Sequence, residues 1–363
     1  MTTVTIKGEW DDLTVKKTWM IAVLFLASVV TGCSDGASPG ATGSASAGEA
    51  DDTLTIAWYP NESGAELKNA RDEIANVIEE ATGKTVEHQT TTDYIIAIEA
   101  LANGQADLAF MGAQGYIEAH NKNESVAPLV VPSGESGTLD DAVYHSWLAV
   151  KKGSEGEYQD GDKYTIDHIV GKTFSFVSNS STSGFKVPSD SIVSYFSEKE
   201  EYKDLTPEDL LEGGKFFREV LYGGSHQGSA VNLLTDKVDV AAFCDTCVDN
   251  YIELAEGEAN TPGAVYSVKE GAAEPFDAVV GEQFVLISVT PVLNAPFAVN
   301  TETVSEADRK ALVEAFTSDE VANNENIFVP EDGDREGLFT KTGDERFVEV
   351  EDSWFDPIRE LSN

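Results

Sequence analysis

The sequence is short of basic residues. Of its 363 residues, lysine and arginine total 24 and aspartate and glutamate total 65, so the formal net charge is −41. Nucleic-acid binding uses lysine and arginine to displace counterions from phosphates, and this composition excludes such a partner. It also excludes docking on an anionic membrane surface. A small bound anion would therefore need a local group of donors, because the charge of the whole chain repels it.

Long hydrophobic runs are missing as well. The apolar run Trp19–Val30 has 12 residues, whereas a membrane-spanning helix needs about 20 and the core of a signal peptide about 7–15. Two lysines precede it, and small residues followed by Cys33 resemble a bacterial lipobox. We expect residues 1–32 to be a signal peptide, Cys33 to carry a lipid, and residues 33–51, which are small and polar, to form a flexible tether. The alternative is an ordinary signal peptide with an incidental cysteine.

Cysteine is scarce, with three residues in the chain. Cys244 and Cys247 form a C-x-x-C, but no second such pair and no nearby histidine pair completes a zinc site, so we predict no metal. Asp245 between them disfavours the thiolate that redox catalysis needs. We expect a structural disulfide, with free buried thiols as the alternative. Phosphate-binding loops, dinucleotide fingerprints and G-x-S-x-G elbows are also absent, so we predict no cofactor and no enzymatic activity.

The apolar pattern indicates an α/β protein. Hydrophobic residues make up 41% of the chain, and the length predicts about two domains. Apolar strands at 54–58, 84–89 and 106–111 alternate with amphipathic helices, and a second set begins after 145–150. This alternation predicts two lobes, each a mainly parallel sheet flanked by helices.

One hydroxyl-rich segment stands at a predicted strand-to-helix junction. In Ser178–Gly184, the hydroxyls of Ser181, Thr182 and Ser183 lie beside the unpaired N–H groups that open a helix. Such a group can hold an anion without a cationic side chain. The other interpretation is a capped helix start in a serine-rich loop.

His226 also precedes an apolar helix, in a glycine-rich segment. It could donate a hydrogen bond to an oxyanion, or it could be a surface or capping residue. Ser183, His226 and Asp245 could also form the triad of a hydrolase, although nothing specifies its oxyanion hole.

Several segments together resemble the solute-binding proteins of ABC importers for phosphonate, phosphite and phosphate. Ser181–Pro188 is similar to the helix start whose hydroxyls and amides hold the phosphorus oxyanion in that family. The segments around Tyr94, Tyr144 and His226 resemble those that supply two tyrosines and a histidine to the ligand.

The resemblance implies a type II periplasmic-binding-protein fold, with residues 52–146 and 291–363 in lobe 1, residues 147–290 in lobe 2, and hinges near 146–150 and 283–295. It implies a ligand site made of Tyr94, Tyr144, Ser181, Thr182, Ser183 and His226, to which we add Asp245.

The sequence departs from family members that bind aminoalkylphosphonates. Thr246 and Ala295 stand where those members carry acidic residues for the amine. Asp245, beside the first position, could accept a proton from a protonated ligand. We therefore expect phosphate, phosphite or a simple phosphonate.

The implied function is that of an extracytoplasmic lipoprotein receptor, anchored to the cell membrane through Cys33. It would bind the oxyanion in a cleft between the lobes and deliver it to an ABC permease and its ATPase. Two alternatives remain at this stage: a sensor lipoprotein of the same fold, and a secreted phosphoester hydrolase that uses Ser183 and His226.

Overall fold

The computed structural model describes residues 52–331 and 335–361. The predicted signal peptide, the tether and Cys33 lie outside the described residues. Within the described ranges, no helix combines the length and the apolar character that a membrane crossing requires.

Strands and helices alternate along most of the described chain. In chain order the strands are β1 (Thr53–Trp58), β2 (Thr85–Thr90), β3 (Leu108–Phe110), β4 (Val126–Pro132), β5 (Val143–Lys151), β6 (Gln159–Asp160), β7 (Lys163–Tyr164), β8 (Thr173–Phe176), β9 (Glu219–Tyr222), β10 (Val240–Cys244), β11 (Ile252–Glu256), β12 (Val265–Val268), β13 (Gln283–Leu293), β14 (Phe297–Asn300), β15 (Phe328–Pro330), β16 (Phe339–Lys341) and β17 (Phe347–Glu349). The α-helices are α1 (Lys68–Thr82), α2 (Tyr94–Ala102), α3 (Ala113–Lys122), α4 (Val187–Ser197), α5 (His226–Leu234), α6 (Glu306–Phe316), α7 (Asp319–Ala322) and α8 (Asp356–Arg359). A π-helical turn, Thr182–Lys186, leads into α4.

The first sheet has six strands in the order β17-β4-β14-β3-β1-β2. Residue types that are typical of helix ends bound its helices. Gly83 takes a left-handed conformation (φ 70°) after α1, and its N–H donates to the carbonyl of Glu79, which is the usual way in which glycine ends a helix. Before α2, the Asp93 carboxylate accepts the N–H of Ile95, as an N-cap does.

The second sheet has seven strands in the order β11-β12-β13-β5-β10-β8-β9. Its two longest strands, β5 and β13, pair antiparallel from Val143 opposite Leu293 to Lys151 opposite Phe284. The predicted lobe boundaries at 146/147 and 290/291 fall within these two strands.

Both sheets are mixed, which corrects the prediction that they are mainly parallel. In the first sheet β1 pairs parallel with β2 and β3, but β14 runs antiparallel to β3 and β4. In the second sheet β8 pairs parallel with β9 and β10, while β5 and β10 are antiparallel. The strand–helix–strand pattern identifies parallel neighbours within a run of sequence. It does not reveal strands that return from distant parts of the chain, such as β13 and β14.

Buried apolar residues cover both faces of each sheet. In β5, Trp147 and Ala149 pack on the face that carries α5, and Leu148 and Val150 pack on the face that carries α4. Burial on both faces explains why these strands have continuous apolar sequences instead of alternating ones. On the α2 and α3 face of the first sheet, the apolar cluster continues into Tyr144 and other residues of the second sheet. The two sheets therefore meet on this side.

Candidate functional site

A cavity of about 300 Å³ lies between the two sheets. It is lined by the loops that follow β1, β3 and β8 and by the residues around β5 and α5. The carboxyl ends of parallel strands are the usual place for ligands in α/β folds, because the helices that follow begin there. Six of the seven residues predicted to bind a ligand line this cavity: Tyr94, Tyr144, Ser181, Thr182, Ser183 and His226.

The hydroxyl-rich segment forms one wall of the cavity. Ser181, Thr182 and Ser183 are each at most 2% exposed, and the Ser181 hydroxyl caps the turn by accepting the N–H of Gly184 (3.1 Å). Only glycine fits at position 184, because an added Cβ would lie 2.3 Å from the Val177 side chain. The segment is thus a rigid, buried start of a helix with three hydroxyl groups, which is the arrangement that holds small anions.

Both tyrosines touch this wall. The side chain of Ser181 acts on the Tyr94 hydroxyl, and the side chains of Ser183 and Thr182 act on the Tyr144 hydroxyl, in each case lowering the pKa of the tyrosine. Burial raises the pKa of both tyrosines well above the ordinary value. They therefore remain neutral O–H donors at physiological pH.

His226 begins α5 and is 3% exposed. Its Nδ1 accepts the backbone N–H of Cys244 (2.9 Å), and its Nε2 lies 3.3 Å from the Ser181 hydroxyl. Burial lowers the pKa of His226 to about 3, so the ring is neutral. A neutral ring whose Nδ1 accepts carries its proton on Nε2. His226 therefore presents an N–H donor beside the hydroxyl-rich segment.

Asp245 does not join the other predicted site residues. Its carboxylate accepts the backbone N–H of His145 (2.9 Å) and pairs with the His145 ring (2.8 Å), and Asp245 is not among the residues that line the cavity. Thr246 and Ala295 do line it. Neither side chain offers a carboxylate to a ligand.

Cys244 and Cys247 form a disulfide in the structure. With His226 they make a cluster of metal-ligating residue types within 4.8 Å. The disulfide occupies both sulfur atoms, and His226 Nδ1 is already bonded to the Cys244 N–H. The disulfide instead helps to position the His226 ring, because it restrains Cys244, whose backbone N–H donates to the ring.

Asn61 is a functional residue that the sequence did not reveal. Its amide nitrogen donates to the Tyr94 hydroxyl (2.7 Å), and its amide oxygen accepts the backbone N–H of His226 (3.0 Å). The backbone carbonyl of Asn61 also accepts a hydrogen bond from the Gln227 side chain (3.1 Å). Asn61 therefore links the side of the cavity formed by the first sheet, where it follows β1, to α5 on the side formed by the second sheet. Its position directly after β1, at the carboxyl end of a parallel strand, is the signal that could have identified it.

Other hydrogen bonds also cross the cavity from one sheet to the other. The backbone N–H of Gln114 donates to the Thr182 hydroxyl (2.9 Å), and the Ser180 hydroxyl donates to Glu118 (2.8 Å). Near the C-terminal segment, the Asn250 side chain donates to the carbonyl of Gly337 (3.0 Å). These contacts hold the two sides of the cavity together, as in a closed conformation.

The described residues that line the cavity include no lysine or arginine. They do include four acidic residues, Glu62, Glu135, Asp249 and Glu345. A bound anion would therefore be held by neutral hydroxyl, imidazole and amide donors, as the composition requires.

Solved structures share this fold. A binding protein component of an ABC phosphonate transporter from Pseudomonas aeruginosa matches with a TM-score of 0.61 and 19% identity over 85% of each chain. PhnD1 of Prochlorococcus marinus, solved in complex with methylphosphonate, matches with a TM-score of 0.59 and 14% identity over 86% of this chain and 97% of that one. These neighbours are type II periplasmic binding proteins, so the predicted α/β class and type II fold are confirmed, with mixed sheets in place of mainly parallel ones.

A curated relative is similar in sequence. The chain is 26% identical over 215 residues to the phosphate-import protein PhnD of Mycolicibacterium smegmatis, which covers 58% of this chain and 62% of that protein. The matching part thus spans less than two thirds of the relative's length.

The family match extends over both sheets. Residues 56–355 match the family described as the periplasmic substrate-binding protein of the phosphonate ABC transporter. Proteins of this kind bind substrates for transport, which confirms that the chain is not an enzyme and excludes the hydrolase alternative. The chain belongs to the family of periplasmic substrate-binding proteins of ABC phosphonate transporters.

Proposed function

We propose that this protein captures a small phosphorus oxyanion outside the cytoplasm and delivers it to an ABC permease and its ATPase. The observation that carries the proposal is the buried group of neutral donors around Ser181–Ser183, joined by Tyr94, Tyr144 and the Nε2–H of His226. A tetrahedral oxyanion accepts several hydrogen bonds at once, and bonds to a charged acceptor are the strong ones. The cavity of about 300 Å³ also has room for a small substituent on phosphorus.

The proposed ligands are phosphate, phosphite and simple phosphonates without an amine. A buried ammonium needs an acidic partner, because an unpaired buried charge costs several kcal/mol. Thr246 and Ala295 offer none, and burial raises the pKa of Glu62, another acidic residue of the cavity, to about 8, which favours its uncharged form. Asp249, which also lines the cavity, already accepts the Thr340 hydroxyl (3.2 Å), and burial raises the pKa of its carboxyl, which favours the uncharged form.

The proposed location follows from the N-terminal segment. A lipid on Cys33 and the polar tether of residues 33–51 would hold the folded part at the outer side of the cell membrane, within reach of the permease. Replacing Cys33 by alanine should abolish labelling with a radioactive fatty acid and release the protein from the membrane fraction. Labelling of the variant would contradict the lipid anchor.

Isothermal titration calorimetry tests the ligand. We expect phosphate, phosphite or methylphosphonate to bind more tightly than aminoethylphosphonate and sulfate at neutral pH. Tightest binding of aminoethylphosphonate would show that a carboxylate of the cavity pairs with the amine. Absence of binding by all five compounds would contradict the proposed function.

A further inference from the structure

Among the described residues that line the cavity, one buried carboxylate oxygen has no hydrogen-bond partner. Glu62 follows β1 in the same loop as Asn61 and lines the cavity together with the hydroxyl-rich segment. Its Oε2 is buried and accepts no hydrogen bond from the described residues, and Glu62 forms no ion pair with them. A buried acceptor without a hydrogen-bond partner lowers the stability of the folded protein, so such a group calls for an explanation.

The groups around Glu62 do not neutralise it. The nearest cation is Arg71 of α1, but its guanidinium donates to the backbone carbonyls of Glu62 and Gly64 and not to the carboxylate. Burial raises the pKa of Glu62 to about 8, and its own backbone N–H, the side chain of Asn61 and the charge of Arg71 offset only part of this effect. The carboxyl is therefore protonated at neutral pH.

The other titratable groups that face Glu62 keep their charge over the range in which it titrates. Tyr59, Tyr94 and Tyr144 are buried, and the pKa of each is raised above the ordinary tyrosine value. His226, on the opposite wall, has a pKa of about 3 and is neutral throughout. Between pH 7 and pH 10, Glu62 is thus the group at this end of the cavity whose charge changes.

We propose that Glu62 contacts the bound oxyanion and shares one proton with it, so that the closed cavity accepts a phosphorus oxyanion only together with that proton. This inference rests on the proposed function. When Glu62 is protonated, its O–H donates to an oxygen of the ligand dianion. When Glu62 is ionised, the proton must come from the ligand as P–OH or from water, because two facing anions without a cation repel each other in a medium of low dielectric.

The proton balance of binding follows directly. Above about pH 8 the free protein carries an ionised Glu62, and the ligand is a dianion. Binding then combines the ligand dianion, the Glu62 carboxylate and one proton from solution. In the complex this proton lies between the ligand and the Glu62 carboxylate. By linkage, the dissociation constant should rise about tenfold for each pH unit in this range.

The test is calorimetry of the full-length chain with phosphate and methylphosphonate at pH 8.5 and pH 9.5, in pairs of buffers that differ in ionisation enthalpy. The wild-type protein should take up about one proton per ligand, and its affinity should fall about tenfold between the two pH values. Glu62→Gln should bind without proton uptake and with the same affinity at both. Glu80→Gln, which changes an exposed glutamate of α1, is the matched control and should behave as wild type.

The outcomes separate the two proposals. If the wild-type protein binds neither ligand, the proposed function is wrong. If it binds without proton uptake, or if Glu62→Gln takes up the same proton, the role of Glu62 is wrong while the function stands. Should Glu62→Gln not fold, Glu62→Asp keeps the carboxyl and should retain the proton uptake with weaker binding. Loss of the uptake in Glu62→Asp with binding intact would also overturn the role.

Discussion

The two walls of the cavity differ in what they offer a ligand. The wall from the second sheet presents hydroxyl groups and the Nε2–H of His226, all neutral over the physiological range, and hydrogen bonds hold Ser181, Thr182 and His226 in place. The wall from the first sheet presents Asn61, which ties the walls together, and Glu62, whose Oε2 has no partner among the described residues. We propose that this difference lets a chain with a net charge of −41 bind an anion. The wall from the second sheet would supply neutral donors, and the wall from the first sheet would hold the two walls together and set the number of protons bound.

Replacing His226 by alanine should have the largest effect on binding. The change removes the Nε2–H donor and leaves the backbone N–H of Cys244 without its acceptor. A hydrogen bond to a charged group is worth roughly 1.5–3 kcal/mol, so the affinity for phosphate should fall on the order of 50-fold. Calorimetry measures this, and a decrease of less than threefold would show that the donors of the second wall do not carry the binding.

Replacing Glu62 by glutamine should change the pH dependence of stability. The pKa of Glu62 is raised from 4.5 to about 8, so between these values the folded protein holds a proton that the unfolded chain has lost. The contribution of Glu62 to the free energy of unfolding therefore falls as pH rises from 4.5 to 8. Urea unfolding of the ligand-free protein should show Glu62→Gln gaining roughly 2 kcal/mol over wild type between pH 4.5 and pH 8, less than the full shift because the side chain is partly exposed to water. A constant difference across this range would mean that Glu62 is ionised in the folded protein.

Replacing Thr182 by alanine tests the contact between the walls. The Thr182 hydroxyl accepts the N–H of Gln114 across the cavity, so its loss should weaken both ligand binding and closure, by about tenfold in affinity. Thr182→Ser keeps the hydroxyl and should bind within about threefold of wild type. If the two variants lose affinity equally, the methyl group matters and not the hydroxyl. The melting temperature without ligand should change little in either variant.

Replacing Asp245 by asparagine should have the smallest effect. Asp245 bonds His145 outside the cavity, so the affinity for phosphate should stay within about threefold of wild type, while the melting temperature falls by a few degrees. Calorimetry and thermal unfolding measure the two effects separately. A loss of affinity as large as that of His226→Ala would place Asp245 in the ligand site after all.

Local structure was predictable from the sequence because it depends on neighbours in the chain. Asp93 caps α2 and Gly83 ends α1 through hydrogen bonds to residues a few positions away in the chain. The hydroxyl-rich segment is also visible in the sequence, since its residues are consecutive and the helix that follows orients them. His226 was recognised by its place before an apolar helix.

The amino-acid pattern was therefore sufficient to predict the α/β class and to single out the hydroxyl-rich segment and His226. Long-range packing makes the sheets mixed, turns Asp245 toward His145, and brings Glu62 and Asn61 to the cavity. The physical reason is that apolar periodicity reports which face of a helix or strand is buried, whereas the direction of a loop side chain depends on how two distant sheets dock. Asp245 and Glu62 are both acidic residues in loops after strands, and only the packing of one sheet against the other distinguishes them.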